Sequence, residues 1–472
     1  MVRGFLRGAG SVQGSWLVSA VVTSASLAVA LAVSGGRSRA YTAYSLAVHK
    51  TAAIPAFARK YGLACSACHT AWPELNAFGQ RFRDNGYQLM NDRDSPIWQN
   101  PSYIPVTFRI TPNWHRESAT KQRVDPVPGT PGPPFVAATV TQSGFDLSGM
   151  DLWTAGTLYK NISFVLLPSS DNTGAFHFEA AFVRFDNLWN SHWVNFKAGK
   201  FELDNLISEK RFLFLSGNGG AYQSYHFVPA GDVNAFGLGD NQLGAELSGH
   251  SENSYTRYGV ALLSSTDGTV GLPANQSYDT YVTLSHAVDA GKLGVERLGA
   301  YAYLGRRPTY FQTDSGVPIP GTGTGNKSFY RVGVAGDFFF GDLEFLPHFM
   351  HASDNAYLAT GTAANATLPA GGRDATWNAA FLEAHYYVSP QLVFTGRYET
   401  VRMSQQADPA TPRDLGNIDA YSGGIRWYPI MFSRAGLSWH TEVSAVRTRG
   451  SAFSATDAVW TSSVFSGLDF DF

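Results

Sequence analysis

Phe176-His177-Phe178-Glu179-Ala180-Ala181-Phe182 alternates along its length: Phe176, Phe178, Ala180 and Phe182 fall on one face, His177, Glu179 and Ala181 on the other. Successive side chains of a β-strand point to opposite sides, so the pattern predicts a strand with one apolar and one polar face. It recurs. Between Tyr330 and Phe340, the residues Tyr330, Val332, Val334, Phe338 and Phe340 oppose Arg331, Gly333 and Asp337. Between Ala435 and Ala445, Leu437, Trp439 and Val443 oppose Ser438, His440, Glu442 and Ser444. Further segments lie near 149–158, 160–167, 192–201, 255–263, 278–287, 295–304, 342–351, 376–388, 391–402 and 418–428, separated by clusters of Gly, Asn, Asp, Ser and Pro. The reading gives about 14 to 17 strands from Thr107 onward, with no amphipathic helix among them.

Two architectures accommodate so many alternating strands, a soluble sandwich or propeller and an outer-membrane barrel. Three features favour the barrel. The apolar faces are crowded with Phe, Tyr, Trp, Leu and Val, whereas the opposite faces keep Arg, Asp, Glu and His, as a wet lumen requires. Very short turns (Gly341-Asp342, Ser389-Pro390) alternate with long connections (305–326, 354–375, 403–416). A last alternating strand runs from Trp460 through Val464, Leu468 and Phe470 to Phe472, an aromatic end that resembles the signal read by outer-membrane assembly machinery. The expected fold is an all-β transmembrane barrel of about 16 antiparallel strands over residues 103–472, preceded by a small α-helical unit. His177, Glu179, Arg331, Asp337, Glu344, His348, Glu383, His385, Arg397, Glu399, His440 and Glu442 would face the lumen, where polarity alone accounts for most of them.

Composition agrees. Only 15% of residues are charged and 14% are aromatic, with 48 glycines. A net charge of -2, with no basic stripe, points away from nucleic acid. Arg3 and Arg7, an apolar stretch from Trp16 to Val33, and small residues before Ala40 or Ala47 form the three parts of a secretory signal peptide, residues 1–47. The alternative is a single membrane helix; no second apolar run of about 20 residues follows.

The only two cysteines lie in Cys65-Ser66-Ala67-Cys68-His69. This excludes a disulfide framework and any four-cysteine metal site. C-x-x-C-H is a haem c attachment sequence. Two thiols three positions apart can form thioethers to one porphyrin edge, and the adjoining imidazole can then ligate the iron. A thioredoxin-like dithiol would leave His69 without a role. Residues 48–102 therefore read as a unit binding one haem c through Cys65, Cys68 and His69. Helix-like runs flank the motif, Ala56 to Gly62 and Trp72 to Arg83, with Pro73 in the second run's first turn, Leu75, Phe78 and Phe82 on one face, and Asn85-Gly86 as its stop. Met90 is the candidate sixth ligand within the unit, with His49 and His115 flanking it.

The stretch Ile54-Pro55-Ala56-Phe57-Ala58-Arg59, through Cys65–His69, to Trp72-Pro73-Glu74-Leu75-Asn76-Ala77-Phe78-Gly79-Gln80-Arg81-Phe82-Arg83-Asp84-Asn85-Gly86-Tyr87 resembles the N-terminal unit of fused outer-membrane mono-haem cytochrome–porins of iron-oxidising bacteria. The resemblance covers about 35 residues. It implies an iron oxidase of the cell outer membrane that takes electrons from extracellular Fe(II) and passes them to a periplasmic cytochrome or copper protein. It carries over Cys65, Cys68 and His69 as haem residues and does not assign the sixth ligand. The competing readings are a solute-conducting porin with a haem-containing plug or sensor, and a periplasmic cytochrome with a soluble β-domain.

Overall fold

The computed structural model describes residues 56–89 and most of 106–471. Residues 1–55, 90–105, 128–133, 171–174, 217–218, 230–233, 235, 271–276, 310, 313–317, 320–324, 356–370, 406–415, 432–434, 451–452, 455 and 472 lie outside the described residues. The expected signal peptide, His49, Met90 and Phe472 fall there.

Among the described residues, sixteen strands close one antiparallel barrel, from β1 (Val106–Val124) to β18 (Ala458–Asp471). The seam is a β1–β18 ladder in which Arg109 lies opposite Asp471 and Ala119 opposite Thr461. The two-residue strands β10 (Phe311–Gln312) and β11 (Pro318–Ile319) form a separate ribbon in one long connection. That connection is shorter than the 305–326 expected from composition. Gly305–Thr309 and Gly325–Phe329 pair with each other and extend their two strands, because once a hairpin register is set, backbone pairing needs no apolar side chain.

The alternation sorts as expected. Leu262, Leu284, Leu382, Phe394 and Trp439 are exposed on the outside, whereas Glu383, His385, Arg397, Glu399, His440 and Glu442 are buried inside. A soluble barrel has the opposite polarity. Closure leaves no edge with unpaired backbone groups, so the barrel can sit in hydrocarbon. An even-stranded closed barrel with an apolar outer belt is the architecture of the outer membrane, and this is an outer-membrane protein.

One strand departs from simple alternation. In β4 (Phe176–Phe185), Phe178 lies opposite Pro168 and Ala180 opposite Leu167, so Glu179 is an extra residue. Such a bulge exchanges the faces beyond it. Phe176 and Phe178 face outward as read, but Ala180 is buried and Phe182 packs inside against Phe201 at a centroid spacing of 6.4 Å. The single apolar face assigned to this segment is thus two half-faces.

The two ends differ. Gly341-Asp342 joins β12 (Gly325–Phe340) to β13 (Leu343–Asp354), and Pro390-Gln391 joins β14 (Ala375–Ser389) to β15 (Leu392–Gln405). Long connections, 355–374 and 406–417, lie at the other end. In barrels of this type short turns face the periplasm and long loops the exterior. No helix of the described residues is long and apolar enough to cross a membrane.

Leu382 stands mid-strand on the lipid face. Leu382→Arg is expected to destabilise the barrel by about 2–4 kcal/mol in reversible unfolding from lipid vesicles, and Leu382→Ala by clearly less.

Candidate functional site

Three short helices, α1 (Ala56–Tyr61), α2 (Cys65–Cys68) and α3 (Ala77–Asp84), lie inside the barrel as a plug. α3 starts later than the Trp72–Arg83 periodicity suggests. The Asn76 side chain accepts the Gly79 N–H at 2.9 Å and caps the helix, so Pro73 and Leu75 precede it in a turn. The shared face of Leu75, Phe78 and Phe82 therefore does not form. Phe82 alone is buried, within 5.2 Å of the Phe57 ring and 5.7 Å of the Tyr61 ring, while Phe78 is exposed. Asn85 ends α3, and Gly86 takes the left-handed φ of 76° expected of a helix stop.

The plug sits at the short-turn end. Phe57 and Tyr87 pack against Ala155, Val165, Leu167 and Ala180 of the wall. Gln88 Nε2 donates to the Lys160 carbonyl at 2.7 Å, His250 Nε2 to the Asp84 carbonyl at 3.1 Å, Arg184 Nη2 to the Arg83 carbonyl at 2.7 Å and Arg426 Nη1 to the Trp72 carbonyl at 3.1 Å. Each of these wall residues lies close to a short turn.

Cys65 and Cys68 occupy one helical turn and are not bridged. α3 crosses so closely that a Cβ at Gly79 would stand 2.0 Å from the Cys68 carbonyl oxygen; only glycine permits this approach. Burial pushes the Cys68 thiol up to about 11, the reverse of the activation a dithiol catalyst needs. His69 Nδ1 lies 3.2 Å from the Pro73 carbonyl oxygen and 3.0 Å from that of Glu74. Burial lowers His69 to about 4, against the opposing pull of those carbonyls, so the ring is neutral at pH 7. A neutral ring donating from Nδ1 holds its lone pair on Nε2, the arrangement of a metal-binding histidine.

His69 opens onto a cavity of ≈ 680 Å³ that also involves Leu75, Leu206, Ile207, Phe212, Leu293, Phe339 and Leu346, with Arg211, Arg257 and Lys292 among its cations. Cys65 borders a smaller cavity with Trp72, Tyr428 and Met431. The same cavity is also lined by Glu74, Asp337, Asp342 and Glu383, so its wall carries both signs of charge beside the pre-oriented histidine.

The cavity's roof is a long connection, 202–241, which folds into the lumen between β5 (Asn195–Phe201) and β6 (Gln242–His250). Wall carboxylates hold it. Glu442 accepts the Leu215 and Ser216 N–H groups, the latter at 2.8 Å, and Glu399 accepts the N–H and hydroxyl of Ser224 at 2.7 and 2.9 Å. Tyr222 stacks on Phe381 at 4.4 Å, and Phe381 on His348 at 4.6 Å, joining connection and wall by aromatic rings. Plug, connection and wall meet in one charge network: Arg257 of the wall reaches Asp84 at 2.9 Å and Asp204 at 2.6 Å, and Arg83 of the plug reaches Asp204 and Glu202 at 3.6 Å.

Nine of the twelve lumen residues expected from alternation, Arg331, Glu344, His348, Glu383, His385, Arg397, Glu399, His440 and Glu442, are buried inside; Glu179 and Asp337 are half-buried, Glu179 against Lys210 at 3.0 Å, and His177 is exposed. His115 points inward against Phe465 at 5.6 Å and does not line the cavity at His69. Sequence reading missed the inward connection, and missed that Glu74 of the plug meets Glu344, His385 and Tyr387 of the wall. The partners are some 270 to 313 positions apart, beyond any local pattern; 313 separates Glu74 from Tyr387.

No protein-family model matches the chain, and no curated protein matches it by sequence. Solved structures do. The chain is similar to an anion-selective porin from Comamonas acidovorans at 11% identity and a TM-score of 0.50, over 78% of this chain and 99% of that one. It is also similar to the outer membrane channel DcaP of Acinetobacter baumannii at 12% identity and a TM-score of 0.43, over 78% and 97%, and to a loop-deletion mutant of OmpT from Vibrio cholerae at 12% and 0.43, over 78% and 100%. The fold is that of outer-membrane porins.

Glu442→Gln and Glu399→Gln each weaken charge-assisted hydrogen bonds, and each is expected to cost the 202–241 connection about 1.5–3 kcal/mol. Limited proteolysis should then cleave there sooner, with heat-modifiable gel mobility of the barrel retained. For pH, burial opposes but Arg257 and its neighbours prevail, holding Asp84 and Asp204 below the usual carboxylate range. A depressed carboxyl stabilises above its unfolded pKa and loses that contribution as pH falls through the folded one. The plug should therefore stay protease-resistant at pH 4 and be released only in stronger acid; Arg257→Gln should shift release to higher pH.

Proposed function

We propose that this chain is an outer-membrane c-type cytochrome that accepts electrons from extracellular Fe(II) and passes them to a periplasmic cytochrome or copper protein. Cys65 and Cys68 would hold one haem c covalently and His69 would be an axial ligand. The observation that carries the reading is the set of carbonyls at His69: the Pro73 and Glu74 oxygens accept from Nδ1 and turn Nε2 to the metal-binding role. Resemblance of residues 54–87 to the unit of iron-oxidising cytochrome–porins supplies the donor.

When bound, the haem supplies a one-electron iron centre. The chain's own residues do the rest. Leu206, Ile207, Phe212 and Phe339 on the lining would pack against a bound ring and shed water from its faces. Arg211 and Lys292 on the lining would offset carboxylates of a bound ring. The plug's position by the short turns suits delivery to a periplasmic acceptor. Met90 is proposed as the second axial ligand; Met90→Ala should abolish the near-infrared charge-transfer band of the oxidised protein.

A second reading is favoured by likeness to a porin: a solute-conducting channel with a haem-bearing plug or sensor. One experiment separates the two. Purified oxidised protein is mixed with Fe(II) under stopped flow, and the same preparation is tested for solute flux in liposomes. Haem reduction by Fe(II) without flux is expected. Flux with no reduction would overturn the electron-transfer reading, and a protein from cells with intact cytochrome maturation that lacks a pyridine haemochrome spectrum would overturn both.

A further inference from the structure

Glu74 of the plug meets two residues of the barrel wall, Glu344 on β13 and His385 on β14, and the three offer ligand atoms within 4.8 Å of one another. His385 Nδ1 is 2.9 Å from Glu344 Oε2 and 3.3 Å from Glu74 Oε2. Donors at about 2.0–2.2 Å from one metal ion stand about 3 Å apart along an edge of its coordination polyhedron, so these separations need little adjustment to close around a cation.

The surroundings suit that occupant. His385 Nε2 lies 2.6 Å from Glu383 Oε1, and Arg397 holds the other oxygen of Glu383 at 3.1 Å. A carboxylate at Nε2 keeps a proton on that nitrogen, so a cation that displaces the Nδ1 proton would meet a lone pair facing Glu74 and Glu344; carboxylate–histidine–metal arrays are built this way. Tyr387 donates its hydroxyl toward the same two carboxylates. Asp337 abuts Glu344, and its Oδ1 is buried without a hydrogen-bond partner. Among the described ion pairs, the partner of Glu74 and Glu344 is His385, which is cationic only while Nδ1 keeps its proton. Glu344 and His385 are each about 1% exposed, and a cation that takes the place of the shared protons would keep these buried carboxylates paired.

We propose that Glu74, Glu344 and His385, with Asp337 beside them, bind one first-row divalent cation that joins the plug to the barrel wall. A mixed carboxylate and imidazole set suits Fe(II), Mn(II) and Zn(II). Glu74 also holds His69 through its backbone carbonyl, so the bound cation sits next to the haem ligand. The identification of Fe(II) as the occupant in the cell rests on the function proposed above; the site itself does not.

The test uses the detergent-purified full chain and Mn(II) alone, with free Mn(II) followed by electron paramagnetic resonance. Saturable binding of one equivalent is expected, at least tenfold weaker in Glu344→Gln and in His385→Gln, and unchanged in Glu252→Gln on an exposed turn. Glu74→Gln, which leaves the barrel wall intact, is expected to match the wall variants and serves if they fail to fold by heat-modifiable mobility. Absence of saturable binding, or equal affinity in Glu74→Gln, would overturn the site. A dithionite-reduced minus oxidised spectrum on the same sample reads the haem separately. Haem present without Mn(II) binding removes the cation site and leaves the cytochrome reading; Mn(II) binding without haem does the reverse.

Discussion

A bilayer offers no water to backbone N–H and C=O groups, and this constraint governs the whole molecule. Sixteen strands satisfy it by pairing in a closed ring, β1 against β18. Closure puts the apolar residues outside and leaves a tube whose wall carries Glu344, Glu383, Glu399, Glu442, Asp469, Arg397 and Arg426, all buried. Charged groups in such a tube need either water or partners. Here much of the partnering comes from the chain itself.

The filling follows from that need. Glu399 and Glu442 each receive N–H groups from the inward connection. Asp469 receives Arg109 at 2.8 Å and Arg426 at 2.6 Å, and the two arginines lie over the Trp72 ring of the plug at 4.9 and 5.8 Å. Arg257 binds plug and connection at once. The plug has little core of its own, one cluster around Phe57, Phe82 and Tyr87, and it borrows the wall at Ala155, Val165 and Leu167. Fixed in this way, the short turn 71–75 can hold His69 by two carbonyls, and the strand residues opposite can reach Glu74.

Much of this was legible in the chain. The 2-residue period of Tyr330–Phe340 and of Leu437–Ser444 reports directly which side chains face lipid, because the pleat alternates regardless of neighbours. Where it misled, at Glu179, the cause was a bulge, which leaves composition untouched and exchanges the faces. Helix limits in the plug were less legible: periodicity alone extended α3 back to Trp72, whereas the Asn76 cap begins it at Ala77. The C-x-x-C-H spacing marked the candidate ligands because thioether chemistry fixes that spacing locally.

What the sequence by itself determined are the properties carried by neighbours in the chain: the barrel class, its lipid and lumen faces, and the Cys65–His69 motif. Tertiary structure alone decided that the motif lies inside the barrel at the short-turn end, that 202–241 folds inward above it, and that Glu74 converges with Glu344 and His385. The physical reason is distance along the chain. Alternation and motif spacing are set by backbone geometry over a few residues, while the meeting of a plug with a wall some hundreds of residues away is set by which buried charges find partners once the barrel has closed.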